Sequence, residues 1–111
     1  MLLGDGKGAF GAATTFAAGT GPRHVVLGDF NGDKLLDAAT TNTNSNDITV
    51  LRGDGKGAFA AAVSYPTGAG SEGIVAVDFN GDQILDLASS NPGAGSVSVL
   101  RGDGKGALVP V

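Results

Sequence analysis

Two nine-residue segments hold most of the side chains that could do chemistry. DFNGDKLLD occupies residues 29–37, and DFNGDQILD repeats it at residues 78–86. Six of the 11 acidic residues of the chain lie in these two segments. Three ionised carboxylates in one tight loop raise one another's pKa and destabilise the fold unless a counter-charge lies among them. The crowding therefore predicts that each loop binds a cation.

The spacing of oxygen-bearing residues favours calcium as that cation. Calcium takes six to eight hard oxygen ligands, which a short loop can supply from alternate side chains and one backbone carbonyl. The predicted ligands of the first loop are the side chains of Asp29, Asn31, Asp33 and Asp37 and the carbonyl of Leu35. Those of the second loop are the side chains of Asp78, Asn80, Asp82 and Asp86 and the carbonyl of Ile84. Zinc or copper would need Cys or His, but the chain has no Cys and one His, so we expect one Ca²⁺ per loop and two per chain, with Mg²⁺ a poorer fit.

Two alternatives compete with this interpretation. An EF-hand has similar spacing, but its twelfth position, usually a bidentate Glu, is Thr40 or Ser89 here, and the flanking segments are typical of strands. The other alternative is a pair of solvated, Asp-rich turns that bind nothing. If the loops do bind an ion, the apolar residues between the ligands should point the other way and anchor each loop to the core. These anchors are Phe30, Leu36, Phe79 and Leu85.

An internal repeat organises the whole chain. A GDGKGA motif follows Leu3, Arg52 and Arg101, so its copies are 49 residues apart (52 − 3 and 101 − 52), and the acidic loops share that period (78 − 29). The predicted division is an N-terminal partial unit at residues 1–20, a first full repeat at residues 21–69 and a second, shortened repeat at residues 70–111. Near-identical copies of this kind suggest a designed or excised fragment of a longer array.

Each repeat predicts four short strands and no helix. Apolar and polar residues alternate in segments such as DITVLRG and SVSVLRG, and Gly, Asn, Ser and Pro clusters separate them. Repeats of 40–50 residues with four strands are typical of β-propeller blades. The predicted fold is therefore all-β, with two four-stranded antiparallel blades and an extra N-terminal strand in AFGAATTF.

These segments resemble a known family. GPRHVVLGDFNGDKLLDAATTN, ITVLRGDGKGAF and their second copies are similar to the VCBS/FG-GAP repeats that build the calcium-bearing propeller of integrin alpha subunits and of many bacterial surface proteins. The resemblance covers nearly the whole chain. It implies that the Asp and Asn residues of the loops ligate calcium and that the parent protein is extracellular or at the cell surface, although this chain shows no signal peptide.

The chain departs from the family pattern in two places. The family usually has Gly after the third ligand, where this chain has Lys34 and Gln83. Each must either adopt a left-handed backbone conformation, at a cost of about 1 kcal/mol, or shift the loop. The second repeat also has SEGI in place of GPRH, so any role of Pro22 and Arg23 is not duplicated.

Other motifs give weaker indications. The tripeptide RGD occurs at residues 52–54 and 101–103, but Asp-Gly is a strong turn signal and the first copy of the motif lacks Arg, which favours a structural role. The GDGKGA motif lacks the Ser or Thr and the helix of a phosphate-binding loop. The single His24 lies in a predicted strand. Sugar-binding propellers usually stack the ligand on Trp or Tyr, and this chain offers only Tyr65. The net charge of −4 argues against nucleic acid, and no apolar stretch is long enough to insert in a membrane.

Taken together, these features predict a non-catalytic calcium-binding propeller module that acts as a binding or adhesion scaffold. A carbohydrate-binding, lectin-like propeller is the alternative, and a hydrolase-associated propeller is a third, less favoured interpretation. Two blades cannot close a ring, so we expect a homo-oligomer, with a trimer of six blades as the first expectation. The N-terminal strand could then complete the last blade of a neighbouring chain. The ligand of such a scaffold could be a protein or a carbohydrate.

Overall fold

The computed structural model describes all 111 residues and contains eight β-strands and no helix. Consequently no segment forms a helix able to cross a membrane. The strands of the first sheet are β1 (Pro22–Gly28), β2 (Asp37–Asn42), β3 (Asp47–Leu51) and β4 (Val63–Pro66). Those of the second sheet are β5 (Ile74–Val77), β6 (Asp86–Asn91), β7 (Ser96–Gly102) and β8 (Leu108–Pro110).

Each repeat forms one antiparallel sheet with its strands in chain order. Sheet 1 has the order β1-β2-β3-β4 and sheet 2 the order β5-β6-β7-β8. Pairings also recur at the repeat period, since Ala39↔Val50 in sheet 1 matches Ala88↔Val99 in sheet 2. The prediction of two four-stranded antiparallel sheets without helix is confirmed, and the arrangement is consistent with two propeller blades.

The apolar core lies between the two sheets. Its fully buried members are Phe30, Ala39, Ile48 and Val50 from the first repeat and Leu87, Leu100 and Leu108 from the second. Strands β1 and β5 lie next to each other across this junction. Because side chains alternate between the faces of a strand, each sheet gives one face to the junction and turns the other away from it.

The expected N-terminal strand is absent. Residues 1–21 form no strand and contain a single isolated pairing, Gly4↔Phe10. A strand needs a partner to satisfy its backbone groups, and one period later, in the first full repeat, the corresponding residues form β4 and pair with β3. Residues 1–3 supply no such strand here, so the segment folds back as a hairpin in which Gly11 donates to the Leu3 carbonyl.

Candidate metal-binding loops

Each acidic loop joins the first two strands of its sheet. The first loop leaves β1 after Gly28 and enters β2 at Asp37, and these two residues are themselves paired. The second loop is bounded in the same way by Val77 and Asp86. The hairpin geometry therefore brings the first and last residues of each acidic segment to one end of the sheet.

The first Asp of each loop collects backbone N–H groups. Asp29 Oδ1 accepts from Asn31, Gly32 and Asp33, at 3.2, 2.6 and 3.2 Å, and its Oδ2 accepts from Lys34 at 2.8 Å. Asp78 repeats all four bonds, at distances that agree within 0.1 Å. The loop backbone thus curls around one carboxylate.

These donors change the charge balance that the sequence implied. Desolvation raises the pKa of Asp29, but the N–H groups led by that of Lys34 outweigh it and leave the pKa lowered. The N–H of Gln83 is the largest influence on Asp78, whose pKa is also lowered, against the opposing effect of desolvation. Crowding therefore does not raise the pKa of Asp29 or Asp78, because backbone dipoles supply part of the counter-charge that the sequence assigned to a cation.

The last Asp of each loop is fully buried. Asp37 Oδ2 accepts from Phe30 N at 2.9 Å, and Oδ1 accepts from Gly53 N at 2.9 Å. Asp86 makes the same two bonds, with Phe79 N at 3.0 Å and Gly102 N at 2.9 Å. One carboxylate therefore ties the loop to the turn that follows the third strand.

The middle positions are more open and form short side-chain turns. Asn31 Oδ1 accepts from Asp33 N at 2.9 Å, and Asp33 Oδ1 accepts from Leu35 N at 2.8 Å. Asn80 and Asp82 do the same in the second loop. The side chains of Leu35 and Ile84, whose carbonyls are predicted ligands, lie against the glycine turns at residues 55 and 104.

All ten predicted ligands thus lie in two matching loops, but their carboxylates do not converge. No group of three or more His, Asp or Glu side chains has the geometry to hold a metal ion. The chemistry of the donors nevertheless fits calcium, since every predicted ligand atom is a carboxylate, amide or carbonyl oxygen. An ion would have to draw the side chains together.

Comparison with known families agrees with the paired loops. A family model described as FG-GAP-like repeat matches residues 29–89, which span both acidic segments and the strands between them. The chain belongs to the FG-GAP-like repeat family. Searches of curated proteins and of solved structures gave no match.

Lys34 and Gln83, which stand where the family usually has Gly, adopt the left-handed backbone conformation that favours Gly. Lys34 has φ 67° and Gln83 has φ 68°, both in the left-handed region. The sequence left open whether these residues would be strained or the loop shifted, and the structure has the strained backbone. The strain is tolerated because the N–H of each residue bonds to the first Asp of its FG-GAP-like loop.

Replacing Lys34 with Gly should stabilise the protein. We expect the free energy of unfolding to rise by up to about 1 kcal/mol, because Gly enters the left-handed region without the steric cost of a side chain. Urea unfolding monitored by circular dichroism would measure the change. Lys56→Gly is the matched control, since Lys56 is also exposed but does not have a positive φ. A Lys34→Gly protein less stable than the parent would contradict the interpretation.

The GDGKGA motifs of the FG-GAP-like repeats form a second set of Asp-centred turns. Asp54 Oδ1 accepts from Lys56 N at 2.7 Å and Ala58 N at 3.0 Å. Asp5 and Asp103 make equivalent bonds. In all three residues the pKa is lowered, first by the N–H of the following Lys.

These turns account for the RGD tripeptide at residues 52–54. Arg52 Nη2 donates to the Lys105 carbonyl at 3.1 Å, Gly53 N donates to Asp37, and Asp54 closes its own turn. Each member of the tripeptide is therefore engaged within the chain. The structure supports the structural interpretation of this motif.

The lowered pKa values predict a loss of stability in acid. A carboxyl whose pKa is lower in the folded state stabilises the fold above its unfolded value, here 3.8, and loses that contribution as pH falls through the folded pKa. We expect the urea midpoint without calcium to stay level from about pH 7 to about pH 5 and to fall below about pH 4. Asp5→Asn, Asp54→Asn and Asp103→Asn combined should flatten this fall, because an amide keeps the acceptor oxygen but does not titrate. An unchanged profile would contradict the assignment.

The predicted apolar anchors behave differently in the two repeats. Phe30 is 1% exposed and Leu85 packs against the core, as expected. Phe79 and Leu36 are 53% and 63% exposed, so the prediction is wrong for them. The junction explains the difference, because Phe30 and Leu85 face it whereas Phe79 and Leu36 lie on faces that no sheet covers.

The residues that occur in only one of the two repeats also have structural roles. His24 Nδ1 lies 3.0 Å from the Glu72 carbonyl, and Arg23 forms an ion pair of 3.5 Å with the Glu72 side chain. Tyr65 packs against the core. The alignment of GPRH with SEGI is one residue out of register, because the period of 49 places GSEG (residues 70–73) opposite GPRH (residues 21–24), and the sequence did not reveal that the two segments meet. Their opposite charges at equivalent positions (23 + 49 = 72) were the available signal.

Proposed function

We propose that the chain is a non-catalytic, calcium-binding repeat module that serves as a scaffold for binding other molecules. Each acidic loop takes one Ca²⁺ in this proposal. The observation that carries it is the duplication of the loop. The carboxylates of both loops make the same hydrogen bonds to the same positions, which is the behaviour expected of two copies of one binding site rather than of incidental acidic turns.

The loop residues keep the capacity to bind an ion. A carboxylate has about four lone-pair sites, and each buried Asp uses two of them for N–H groups. Asp33 and Asp82 each accept one N–H, through Oδ1. Bound Ca²⁺ would supply the positive charge that three carboxylates need, and two ions would offset the net charge of −4.

Asp33 and Asp82 are the residues best suited to test the site, because both are exposed and make few contacts within the fold. Isothermal titration calorimetry of the parent protein should show two Ca²⁺ per chain. Asp33→Ala should leave one, and the double variant with Asp82→Ala should leave none. Asp54→Ala is the control, since it removes an exposed Asp outside both loops and should keep two sites. No heat of Ca²⁺ uptake by the parent protein would refute the proposal.

Calcium should also raise the stability of the protein. A ligand that binds only the folded state stabilises it by about 2.7 kcal/mol per site when its free concentration is one hundred times the dissociation constant. We expect the melting temperature to rise with added Ca²⁺ and to return to its starting value with a chelator. Mg²⁺ at the same concentration should have a smaller effect, because it prefers strict octahedral coordination. An unchanged melting point in calcium would count against the proposal.

The scaffold role rests on the family and on how the acidic groups are used. FG-GAP-like repeats generally form modules for binding rather than active sites, and here the buried acidic side chains are engaged with backbone amides. We place the parent protein outside the cell or at its surface, where calcium modules of modest affinity can be filled. The opposite result would be hydrolysis of a sugar or ester by the unsubstituted chain. If that activity persisted in a folded Asp33→Ala, Asp82→Ala variant, the chain would be an enzyme instead.

A further inference from the structure

The junction between the sheets is formed by two different faces. Sheet 1 contributes Val26, Phe30, Ala39, Ile48, Val50 and Tyr65, which we call the front face. Sheet 2 contributes Ile74, Ala76, Leu85, Leu87, Leu100 and Leu108. Subtracting the period of 49 places these at positions 25, 27, 36, 38, 51 and 59 of the first repeat, none of which is in the front face. They form the back face, so the sheets stack front to back.

This stacking leaves one apolar face of each kind without a sheet packed against it. The front-face positions of sheet 2 include Phe79 and Val97, which are 53% and 68% exposed, whereas their equivalents Phe30 and Ile48 are buried at the junction. The back-face positions of sheet 1 include Val25, Leu27 and Leu36, all exposed. The chain therefore presents both halves of a contact that it already makes once within itself.

Charge at the rim of the junction matches the same geometry. Arg23 of the first repeat pairs with Glu72, which occupies the equivalent position in the second repeat. If the front face of sheet 2 met the back face of sheet 1 in another copy, Glu72 would face Arg23 of that copy. Complementary charges of this kind favour the correct orientation and oppose others, although an exposed pair adds little affinity.

We propose that a second copy of this chain docks head to tail, with the front face of sheet 2 of one copy on the back face of sheet 1 of the next. The contact is heterologous, because different surfaces meet, and such contacts generate closed rings when the rotation closes. Three copies would place six sheets in a ring, a number within the range of propellers. The proposal does not depend on calcium.

Docking also provides a partner for an open strand edge. In sheet 1, β4 pairs with residues 47–50 of β3, whereas β8 pairs only with residues 100–102 of β7 and leaves residues 96–98 without a partner strand on that side. Residues 14–17 are the equivalents of β4 one repeat earlier in the chain (63 − 49 = 14). In the docked copy they would lie beside this open edge and form the strand that is absent in the single chain.

The hairpin of residues 1–13 must move aside for this to happen. Adding the period once or twice places residues 1–13 at the positions of residues 50–62 and residues 99–111. In the docked pair, the hairpin of one copy would therefore occupy the same space as residues 99–111 of the other copy. Residues 1–13 are exposed throughout, and their backbone hydrogen bonds stay within residues 1–14. Displacing them therefore breaks no backbone hydrogen bond to the sheets, but it removes Leu3 from Gly57 and Met1 from the back face of sheet 1, which the docked copy would then cover.

Chemical cross-linking tests the predicted contact. Gly28 lies against Leu85 at the junction, and the equivalent pair between copies is Val77 of one chain and Leu36 of the next, both exposed. The chain has no Cys, so introduced thiols react without background. A Val77→Cys chain mixed with a Leu36→Cys chain should give a cross-linked dimer with a short bis-maleimide, at more than about ten times the yield of either variant alone. Val77→Cys mixed with Asn44→Cys, which is exposed in the turn at the opposite end of sheet 1, should give no more than either alone. Equal yields in all mixtures would overturn the proposal.

Mass in solution tests the assembly itself. The parent protein should have the mass of three chains by light scattering, with calcium or with a chelator. Phe79→Asp should raise the concentration needed for assembly more than about tenfold, since it places a charge in the contact. Leu2→Asp adds the same charge to the hairpin and should leave the mass unchanged. Circular dichroism would verify that both variants are folded. A monomeric parent protein, or a folded Phe79→Asp protein that still assembles as the parent does, would refute head-to-tail docking.

Discussion

Asp37→Ala is expected to unfold much of the protein even in the absence of calcium. The Asp37 side chain is fully buried and accepts the N–H groups of Phe30 and Gly53. Alanine would leave the buried N–H of Phe30 and the partly buried N–H of Gly53 without a partner. Each unsatisfied buried donor costs about 1–3 kcal/mol, so we expect a loss of about 4 kcal/mol in the free energy of unfolding. That is a large part of the stability of a small domain.

The position of Phe30 should make the loss of stability in Asp37→Ala greater than that in Asp86→Ala, its counterpart in the second loop. Phe30 is the largest side chain of the core, and its backbone is held by Asp37. Phe79, held by Asp86 in the same way, is half exposed. We therefore expect Asp37→Ala to lower stability more than Asp86→Ala, although the two loops have the same hydrogen bonds.

Urea unfolding in chelator would measure these changes without any contribution from calcium. Asp33→Ala is the matched control in the same loop, because Asp33 is exposed and accepts one N–H. We expect it to lower the free energy of unfolding by about 1 kcal/mol or less. If Asp37→Ala were no more destabilising than Asp33→Ala, the buried carboxylate would have no structural role beyond that of a loop residue.

The sequence predicted the strands and the repeat because both are local patterns. Alternating residues in DITVLRG and SVSVLRG became β3 and β7, and the Asp-Gly turns formed where Asp54 and Asp103 predicted them. The family was also predicted from these segments and is confirmed. A few neighbouring residues suffice to predict such features, because side chains alternate between the two faces of a half-buried strand and Asp-Gly favours a tight turn.

What the sequence could not show is the difference between its two copies. Phe30 and Phe79 lie in nearly identical segments, yet one is buried and the other is half exposed. Burial depends on which face meets the other sheet, and the period of 49 carries no information about that. The same holds for Asp29, for which the sequence predicted a cation as the counter-charge. Backbone N–H groups supply part of that charge, and their direction depends on the fold of the loop and cannot be read from residue types.

Gly53→Ala is the second change expected to have a large effect. A Cβ at Gly53 would be directed into the carbonyl oxygen of Leu36, which is backbone and cannot rotate away. The turn would have to move, and the hydrogen bond from Gly53 N to Asp37 would be lost with it. Strain from overpacking and the loss of that bond together should cost about 3 kcal/mol.

The first copy of the motif provides an unusually close control. Gly4 occupies the position of Gly53 one repeat earlier, but a Cβ there would meet only the Phe10 ring, at 3.7 Å, which is ordinary contact. Gly4→Ala should therefore change the urea midpoint little, and Gly102→Ala, which faces the Leu85 carbonyl, should resemble Gly53→Ala. Equal stability of the Gly4→Ala and Gly53→Ala proteins would mean that the glycine of the RGD tripeptide is not required by the Leu36 carbonyl. A role of this tripeptide outside the fold would then regain support.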